Sequence, residues 1–158
     1  MIEQIEFELD GDDDWTDEDI LRKNRACADL LERQTKTRIR FGGDDNSRFA
    51  PLRFPRADGS QGQPLFHSGK FAASIHSGAD LNGFWAGSAF IGAAILQWGT
   101  VGKGGLFPSI VGRGGGGLTI PIMGGKKIHV PKVDISPREY LRISPVNQQE
   151  LVRTFLEA

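Results

Sequence analysis

The side chains most able to do chemistry are one cysteine, three histidines and the neighbouring pair His67 and Ser68. A serine nucleophile needs a base placed across space and an oxyanion site, and the sequence around Ser68 indicates neither. The histidines, His67, His76 and His129, lack the spacing of metal ligands. Cys27 falls on the apolar stripe of a predicted helix, where we expect a small buried core residue. The sequence predicts no catalytic residue, no metal site and no cofactor, and we expect a protein that is not an enzyme.

The composition is that of a small core with long loops. The chain has 158 residues, of which 39% are hydrophobic and 21 are glycine. This length predicts a single domain over residues 1–158. No apolar run approaches the roughly 20 residues that cross a bilayer, and the acidic N-terminus differs from a signal peptide. We therefore expect a soluble, intracellular protein that does not contact a membrane.

Charge divides the chain into two unequal parts. Residues 1–20 contain ten acidic side chains and no basic ones, whereas residues 21–158 carry nineteen basic side chains against ten acidic ones, a balance of +9. The acidic N-terminal arm, residues 1–15, is either a solvated tail or a contact with another subunit. For the second alternative, the candidate contact residues are Asp12, Asp13 and Asp14.

The first elements follow from local patterns. Ile2 to Leu9 alternates apolar and acidic residues with one slip of register, which predicts a short edge strand. Thr16, followed by three acidic residues, is a good N-cap for a helix that should run to about Lys36 or Ile39.

A polar loop is predicted over residues 41–63. It is rich in glycine, proline and aspartate, and it is made basic by Arg48, Arg53 and Arg56. Nucleic-acid contact is one interpretation, but no aromatic platform accompanies these charges. A solvated or partner-facing loop is the favoured interpretation.

The middle of the chain holds most of the apolar material. Leu65, Phe71, Ala72 and Ile75 fall on one face of a predicted short helix. A hairpin should follow over residues 75–88, since the Asn-Gly pair in its turn tolerates positive φ. Phe90 to Trp98 is predicted as a helix of small residues that ends at Gly99.

A glycine-rich segment occupies residues 101–130. Ten of the twenty-five residues from 101 to 125 are glycine, too many for a core segment. The run 114–117 lacks the Lys-Ser/Thr pair of a phosphate-binding loop. Residues 118–122 and 127–130 should form the arms of a protruding β-ribbon. Its candidate partner-contact residues are Lys103, Phe107, Arg113, Lys126 and Lys127.

The C-terminal region should complete an α+β fold. Residues 136–143 are predicted as a turn and a strand, and Ser144-Pro145 should begin a last helix. The predicted fold is a small antiparallel sheet flanked by helices, with long loops and a protruding β-ribbon.

Three motifs follow one another from residue 64 onward. The first contains Leu65, Ser68, Gly69, Phe71, Ser74 and Ile75; the second, Gly87, Ser88, Gln97, Trp98 and Gly99; the third, Pro137, Arg138, Tyr140 and Leu141. Taken in this order and separated by a glycine-rich insertion, they resemble the phage virion morphogenesis family, the Mu-like tail completion or neck proteins. The chain has Gly92, Leu96 and Glu139 where that family usually has Tyr, His and a second Pro.

The resemblance implies a structural protein of the phage neck. Such a protein assembles into a ring, expected to be a hexamer, that joins the tail to the head connector and lets DNA pass. The implied partners are other copies of the chain, the head connector or stopper protein, and the tail terminator or tail tube protein. The implied location is the virion, after assembly in the host cytoplasm. Two alternatives stay open: a tail terminator that caps the tail tube, and a small basic DNA-binding module that uses Arg48, Arg53 and Arg56.

Overall fold

The computed structural model describes residues 14–44, 47–52, 56, 58–60, 62–121 and 123–158. Within them the chain is an α+β protein with a long N-terminal helix, a C-terminal helix and several two-stranded antiparallel sheets. The predicted strand at Ile2 to Leu9 lies outside the described residues, as do Asp12, Asp13 and Arg53.

The long helix α1 spans Asp17–Phe41, and the predicted N-cap is confirmed. Asp19 N donates to Thr16 Oγ1 at 3.2 Å, and the Asp19 carboxylate accepts from Thr16 N at 3.2 Å, which completes a capping box. These hydrogen bonds with Thr16 hold the pKa of Asp19 below its usual value. The helix ends at Phe41, two residues beyond Ile39, the later of the two predicted ends, and its C-cap Gly42 has a left-handed φ of 75°.

The predicted hairpin is confirmed and packs along α1. Strand β1, Ile75–Asp80, pairs antiparallel with β2, Gly83–Ser88. Asp80 Oδ1 accepts from Asn82 N at 2.7 Å, which stabilises the turn. Asn24 Nδ2 donates to Asp80 O at 2.8 Å, and Ser77 Oγ donates to Glu32 Oε2 at 2.8 Å. The hairpin therefore runs beside α1 over several of its turns.

The two short helices are shorter than predicted. Helix α2 is only Lys70–Ala73, so Leu65 precedes it and Ile75 already belongs to β1. Helix α3 is Ala93–Trp98, and it starts after Gly92 rather than at Phe90. The predicted apolar face nevertheless identified core residues correctly, because Leu65, Phe71 and Ile75 are all buried.

The glycine-rich segment forms the predicted ribbon. Strand β4, Leu118–Pro121, pairs antiparallel with β5, Lys127–Val130. Below it, β3, Ile110–Val111, pairs with β6, Lys132–Val133. The strands thus form three separate two-stranded sheets in the described chain, whereas one small sheet and a protruding ribbon were predicted.

The strand predicted over residues 136–143 is wrong. Residues 134–143 contain only a turn at Tyr140 and Leu141. The backbone there bonds to a helix end instead of a strand, since Arg138 N donates to Leu96 O at 2.9 Å. The last helix is confirmed: α4 spans Pro145–Glu157, with Ser144 Oγ accepting from Asn147 N at 3.2 Å.

Two apolar layers hold these elements together. One cluster joins the C-terminal end of α1 to the middle of the chain and contains Ile39, Phe49, Leu65, Phe71, Ile75, Ala93 and Tyr140. The other lies between α1 and α4, where Cys27 and Leu151 are fully buried. Burial raises the pKa of the Cys27 thiol to about 11, as expected for a core cysteine. In the described part of the chain, no helix has the length and apolarity needed to cross a bilayer.

Candidate interaction surfaces

Tyr140 is the point at which the three motif segments meet. It is 2% exposed, and its ring makes an edge-to-face contact with Phe71 at 5.0 Å between centroids. Its hydroxyl donates to Ala93 O at 3.1 Å, and burial raises its pKa to about 12. Arg38 Nη1 donates to Tyr140 O at 3.0 Å. The third motif is thereby fixed to α1, α2 and α3 at once.

The second and third motifs also bind each other directly. Leu141 N donates to the buried Gln97 side chain, at Oε1, with a distance of 3.1 Å. Gly99 has φ of 64°, and a Cβ there would lie 2.6 Å from Pro137 Cδ, so only glycine fits this approach. Arg138 Nε donates to Ala50 O at 3.1 Å, which attaches the polar loop to the same place.

The first motif and the end of the hairpin are joined by two serines. Ser74 Oγ donates to Phe71 O at 2.6 Å and lies 2.7 Å from Ser88 Oγ. Gly69 precedes α2 in a left-handed conformation, whereas Ser68 is exposed. Gly87, opposite His76 in the hairpin, is half-buried. Most of the motif residues therefore position the scaffold rather than face a partner.

Arg38 is a structural residue that sequence reasoning missed. The sequence indicated only a basic residue near the C-terminal end of a helix. In the structure it is 4% exposed and donates to Asp44 at 3.0 Å and Asn147 Oδ1 at 2.6 Å, besides Tyr140 O. Its spacing of eleven residues from Cys27, three helical turns, placed it on the buried face and could have revealed it.

The C-terminal end of the acidic arm, at Trp15, packs against α4. Asp14 is exposed, and Trp15 makes an edge-to-face contact with Phe155 at 5.5 Å. Lys23 donates to Phe155 O at 3.0 Å and lies 5.0 Å from the Trp15 ring centroid, a cation–π geometry. The chain therefore enters α1 beside the C-terminal end of α4.

The arginines of the polar loop do not form one basic surface among the described residues. Arg48 is exposed, and its Nη1 donates to Phe41 O at 3.2 Å. Arg56 is half-buried, and its Nη2 donates to Gln63 O at 2.6 Å and braces the loop from inside. Phe49 also lies in this loop but is buried in the core cluster, which the polar composition of residues 41–63 did not indicate.

The ribbon and its base carry exposed cations. Lys103, Arg113, Lys126 and Lys127 are all exposed, and none forms an ion pair with another described residue. Phe107 differs from them: it is half-buried, and its ring lies 6.4 Å from that of Trp98. Phe107 N donates to Gly99 O at 3.0 Å, so this residue belongs to the base of the ribbon.

Asp134 holds the base of the ribbon closed, and sequence reasoning missed it. Its carboxylate accepts from the hydroxyls of Ser109 and Thr100, the latter at 2.9 Å, and lies 3.6 Å from Lys132 Nζ. The hydroxyl bonds of Ser109 and Thr100, with the Lys132 charge, hold its pKa below the usual value. Asp134 is the only acidic residue between 81 and 138, a signal that could have identified it.

Across the described residues, no group of three histidine, cysteine or acidic side chains is placed to hold a metal ion. Comparison with known protein families, with curated proteins and with solved structures finds no match to this chain.

Proposed function

We propose that this protein is a structural component of a phage neck, a tail completion protein that forms a ring between the tail and the head connector and lets DNA pass. The observation that carries the proposal is the meeting of three motifs of the sequence at Tyr140. The segments around Phe71, Ala93 and Tyr140 are distant in sequence, yet they share one buried cluster. Motifs that were matched only by their order along the chain thus belong to one structural unit.

The charge distribution adds support for a ring. A subunit of a closed ring meets its two neighbours through two different surfaces. Here the acidic N-terminal arm joins α1 beside α4. The ribbon, by contrast, has basic side chains and not a single acidic residue. Surfaces of opposite charge on one subunit favour head-to-tail contact between copies.

Two measurements test the proposal: the mass of the purified protein in solution, and its ability to join tails to heads. Multi-angle light scattering of the purified protein, alone and with isolated tail tubes, should give a closed oligomer or its formation on the tube. Tails prepared without the protein should join heads once it is added. A monomer at every concentration that never binds tails or heads would contradict the proposal. A deletion that leaves over-long tails would indicate the tail terminator instead.

A DNA-binding module is a second candidate, now with the cations on the ribbon and its base in place of the predicted Arg48, Arg53 and Arg56. Four exposed basic side chains there have no ion-pair partner among the described residues. Such a module would bind duplex DNA with an affinity that falls steeply as salt rises. Absence of duplex binding at low salt would remove this candidate.

A further inference from the structure

The β4–β5 ribbon has one apolar face and one polar face. Side chains alternate between the faces of a strand, so residues two apart share a face. Leu118, Ile120, Ile128 and Val130 are half-buried, whereas the alternate residues, Thr119, Pro121, Lys127 and His129, are exposed. The ribbon is therefore amphipathic, with Lys127 on its polar face.

The ribbon is a sheet of only two strands, with no third strand beside it among the described residues. In the described chain β4 and β5 pair only with each other, and neither takes part in an extensive packing interface with α1, α2, α4, β1 or β2. An isolated two-stranded hairpin is marginally stable in water, and stability comes from a third strand or from a cover over the apolar face. The free edge of β5 is a template for such a strand.

The N-terminal arm has the matching pattern. Ile5-Glu6-Phe7-Glu8 alternates apolar and acidic residues, whereas Lys127-Ile128-His129-Val130 alternates basic and apolar ones. Paired side by side, the two segments would extend the apolar face on one side and set acids against bases on the other. Phosphate groups of DNA would satisfy Lys127 but would leave Ile128 and Val130 uncovered, so a peptide strand fits this ribbon better.

We infer that residues 5–8 of one copy of this chain add as an antiparallel strand to β5 of a second copy. The register sets Glu8 against Lys127, Phe7 against Ile128, Glu6 against His129 and Ile5 against Val130. Continued along the chain, this register also sets Glu3 against Lys132, whereas a parallel alignment with the same pairing of faces sets Gly11 there. Antiparallel pairing is the better match. The inference rests on the proposed ring assembly and names the contact that would close it.

A second copy is the favoured source of the arm, because the arm and the ribbon's base are joined to opposite ends of α1. The arm enters α1 at Trp15, and Glu8 can lie no more than about 25 Å from Trp15 along a fully extended chain. The base of the ribbon is tied to the other end of α1, through Tyr140 and Arg38. From Trp15 to Arg38 the helix rises about 35 Å. Glu8 of the same chain therefore falls short of the Arg38 end of α1, to which the ribbon's base is tied, and this favours Glu8 of a second copy as the partner of Lys127.

The test is a disulfide between two full-length variants. Phe7→Cys and Ile128→Cys proteins are mixed and oxidised, and covalent dimers are measured on a non-reducing gel. The native Cys27 is fully buried and does not interfere. We expect the mixture to give several-fold more dimer than either variant alone. The matched control is Glu6→Cys mixed with Ile128→Cys, because these positions face opposite sides of the proposed sheet.

A charge exchange checks the register independently. Glu8→Lys and Lys127→Glu should each reduce the cross-link yield of the Phe7–Ile128 pair, and the two changes together should restore it. Lys70→Glu, at an exposed lysine in α2, should leave the yield unchanged. Equal yields for the matched and control pairs, or no restoration by the exchange, would overturn the inference.

Two further outcomes separate this inference from the proposed function. A single chain carrying both cysteines that cross-links only within itself would overturn the contact between copies. If the protein forms rings and joins tails while the cross-link fails, the arm–ribbon contact is wrong and the neck function stands. If cross-linked dimers form but tails are never joined, the contact is right and the neck function is wrong.

Discussion

The cluster around Tyr140 and the β4–β5 ribbon use polar side chains in opposite ways. In the cluster, the buried polar groups bond to the main chain of distant segments: Tyr140 to Ala93 O, and Arg38 to Tyr140 O. In the ribbon, Lys126 and Lys127 are exposed and have no ion-pair partner among the described residues. The cluster stabilises the fold, whereas the lysines of the ribbon are exposed at the surface of the described chain.

The difference separates polar groups that are satisfied inside the fold from an apolar face that is only partly covered. A buried polar group without partners costs free energy, so a folded domain satisfies such groups internally. An amphipathic strand pair whose apolar face is only half-buried in the described chain is the opposite case, because further burial of that face would add stabilisation. The two regions should therefore respond differently to mutation.

The largest expected effect is that of Tyr140→Ala. Removing the ring leaves a cavity beside Phe71 and removes the bond to Ala93 O. We expect the free energy of unfolding to fall by about 3–5 kcal/mol. Tyr140→Phe keeps the packing and loses only the hydroxyl bond, so it should cost about 1 kcal/mol. Urea unfolding of both variants measures this. Equal losses would mean that the hydroxyl, and not the ring, is the important group.

Arg38→Ala should have the next largest effect. It leaves Asp44, Asn147 and Tyr140 O without their charged donor. We expect a loss of about 2–3 kcal/mol in the free energy of unfolding. Arg40 lies in the same last turn of α1 but is exposed, so Arg40→Ala should stay within about 0.5 kcal/mol of the original protein. Similar losses in both variants would point to the helix dipole instead of the buried contacts.

Asp134 lies at the base of the ribbon, between the two regions, and its contribution to stability should depend on pH. The folded pKa of its carboxyl lies below the unfolded value of about 3.9, so its stabilising effect is present above that pH and is lost as pH falls through the folded pKa. The melting temperature should therefore differ most between Asp134→Asn and the original protein at pH 7, and the difference should shrink below about pH 4. Asp14→Asn, at an exposed position, is the control. A difference that is constant from pH 7 to pH 3 would assign the effect to shape and not to charge.

Local signals in the sequence predicted much of the fold. The caps at Thr16 and Ser144 and the turn before Gly83 depend on residues within a few positions, and all three were found. The ribbon was found for the same reason, since glycines and β-branched residues mark a turn and its strands. Each of these features is decided by the chain within its own neighbourhood.

Features that depend on distant partners were not predictable in this way. The pattern around Tyr140 resembles a strand, but no strand among the described residues pairs with it, and Arg138 N donates to Leu96 O instead. The buried position of Arg38 and the closing contacts of Asp134 join segments that are far apart in sequence. For the surfaces, the sequence indicated which cations are exposed, but Arg56 turned inward to the carbonyl of Gln63.

The smallest effect on stability should come from removing the ribbon. Val111 pairs with Lys132 in the β3–β6 sheet, so a two-residue Asn-Gly turn can replace residues 112–131. The free energy of unfolding should change by no more than about 0.5 kcal/mol, because the deleted strands take part in no extensive packing interface with the helices or with β1 and β2. Chemical unfolding measures that change, and light scattering with tail tubes measures assembly, which should be lost.

The choice of boundary is what makes this deletion informative. A deletion that began at Gly104 would also remove Phe107, which packs on Trp98, and would confuse loss of the base with loss of the ribbon. With the cut placed above Val111, the contacts of Asp134 with Thr100 and Ser109 stay in place. A variant that unfolds would make the ribbon part of the core. A variant that folds and still assembles would leave the ribbon without a part in assembly, and the contrast with the Tyr140 cluster would then be one of stability alone.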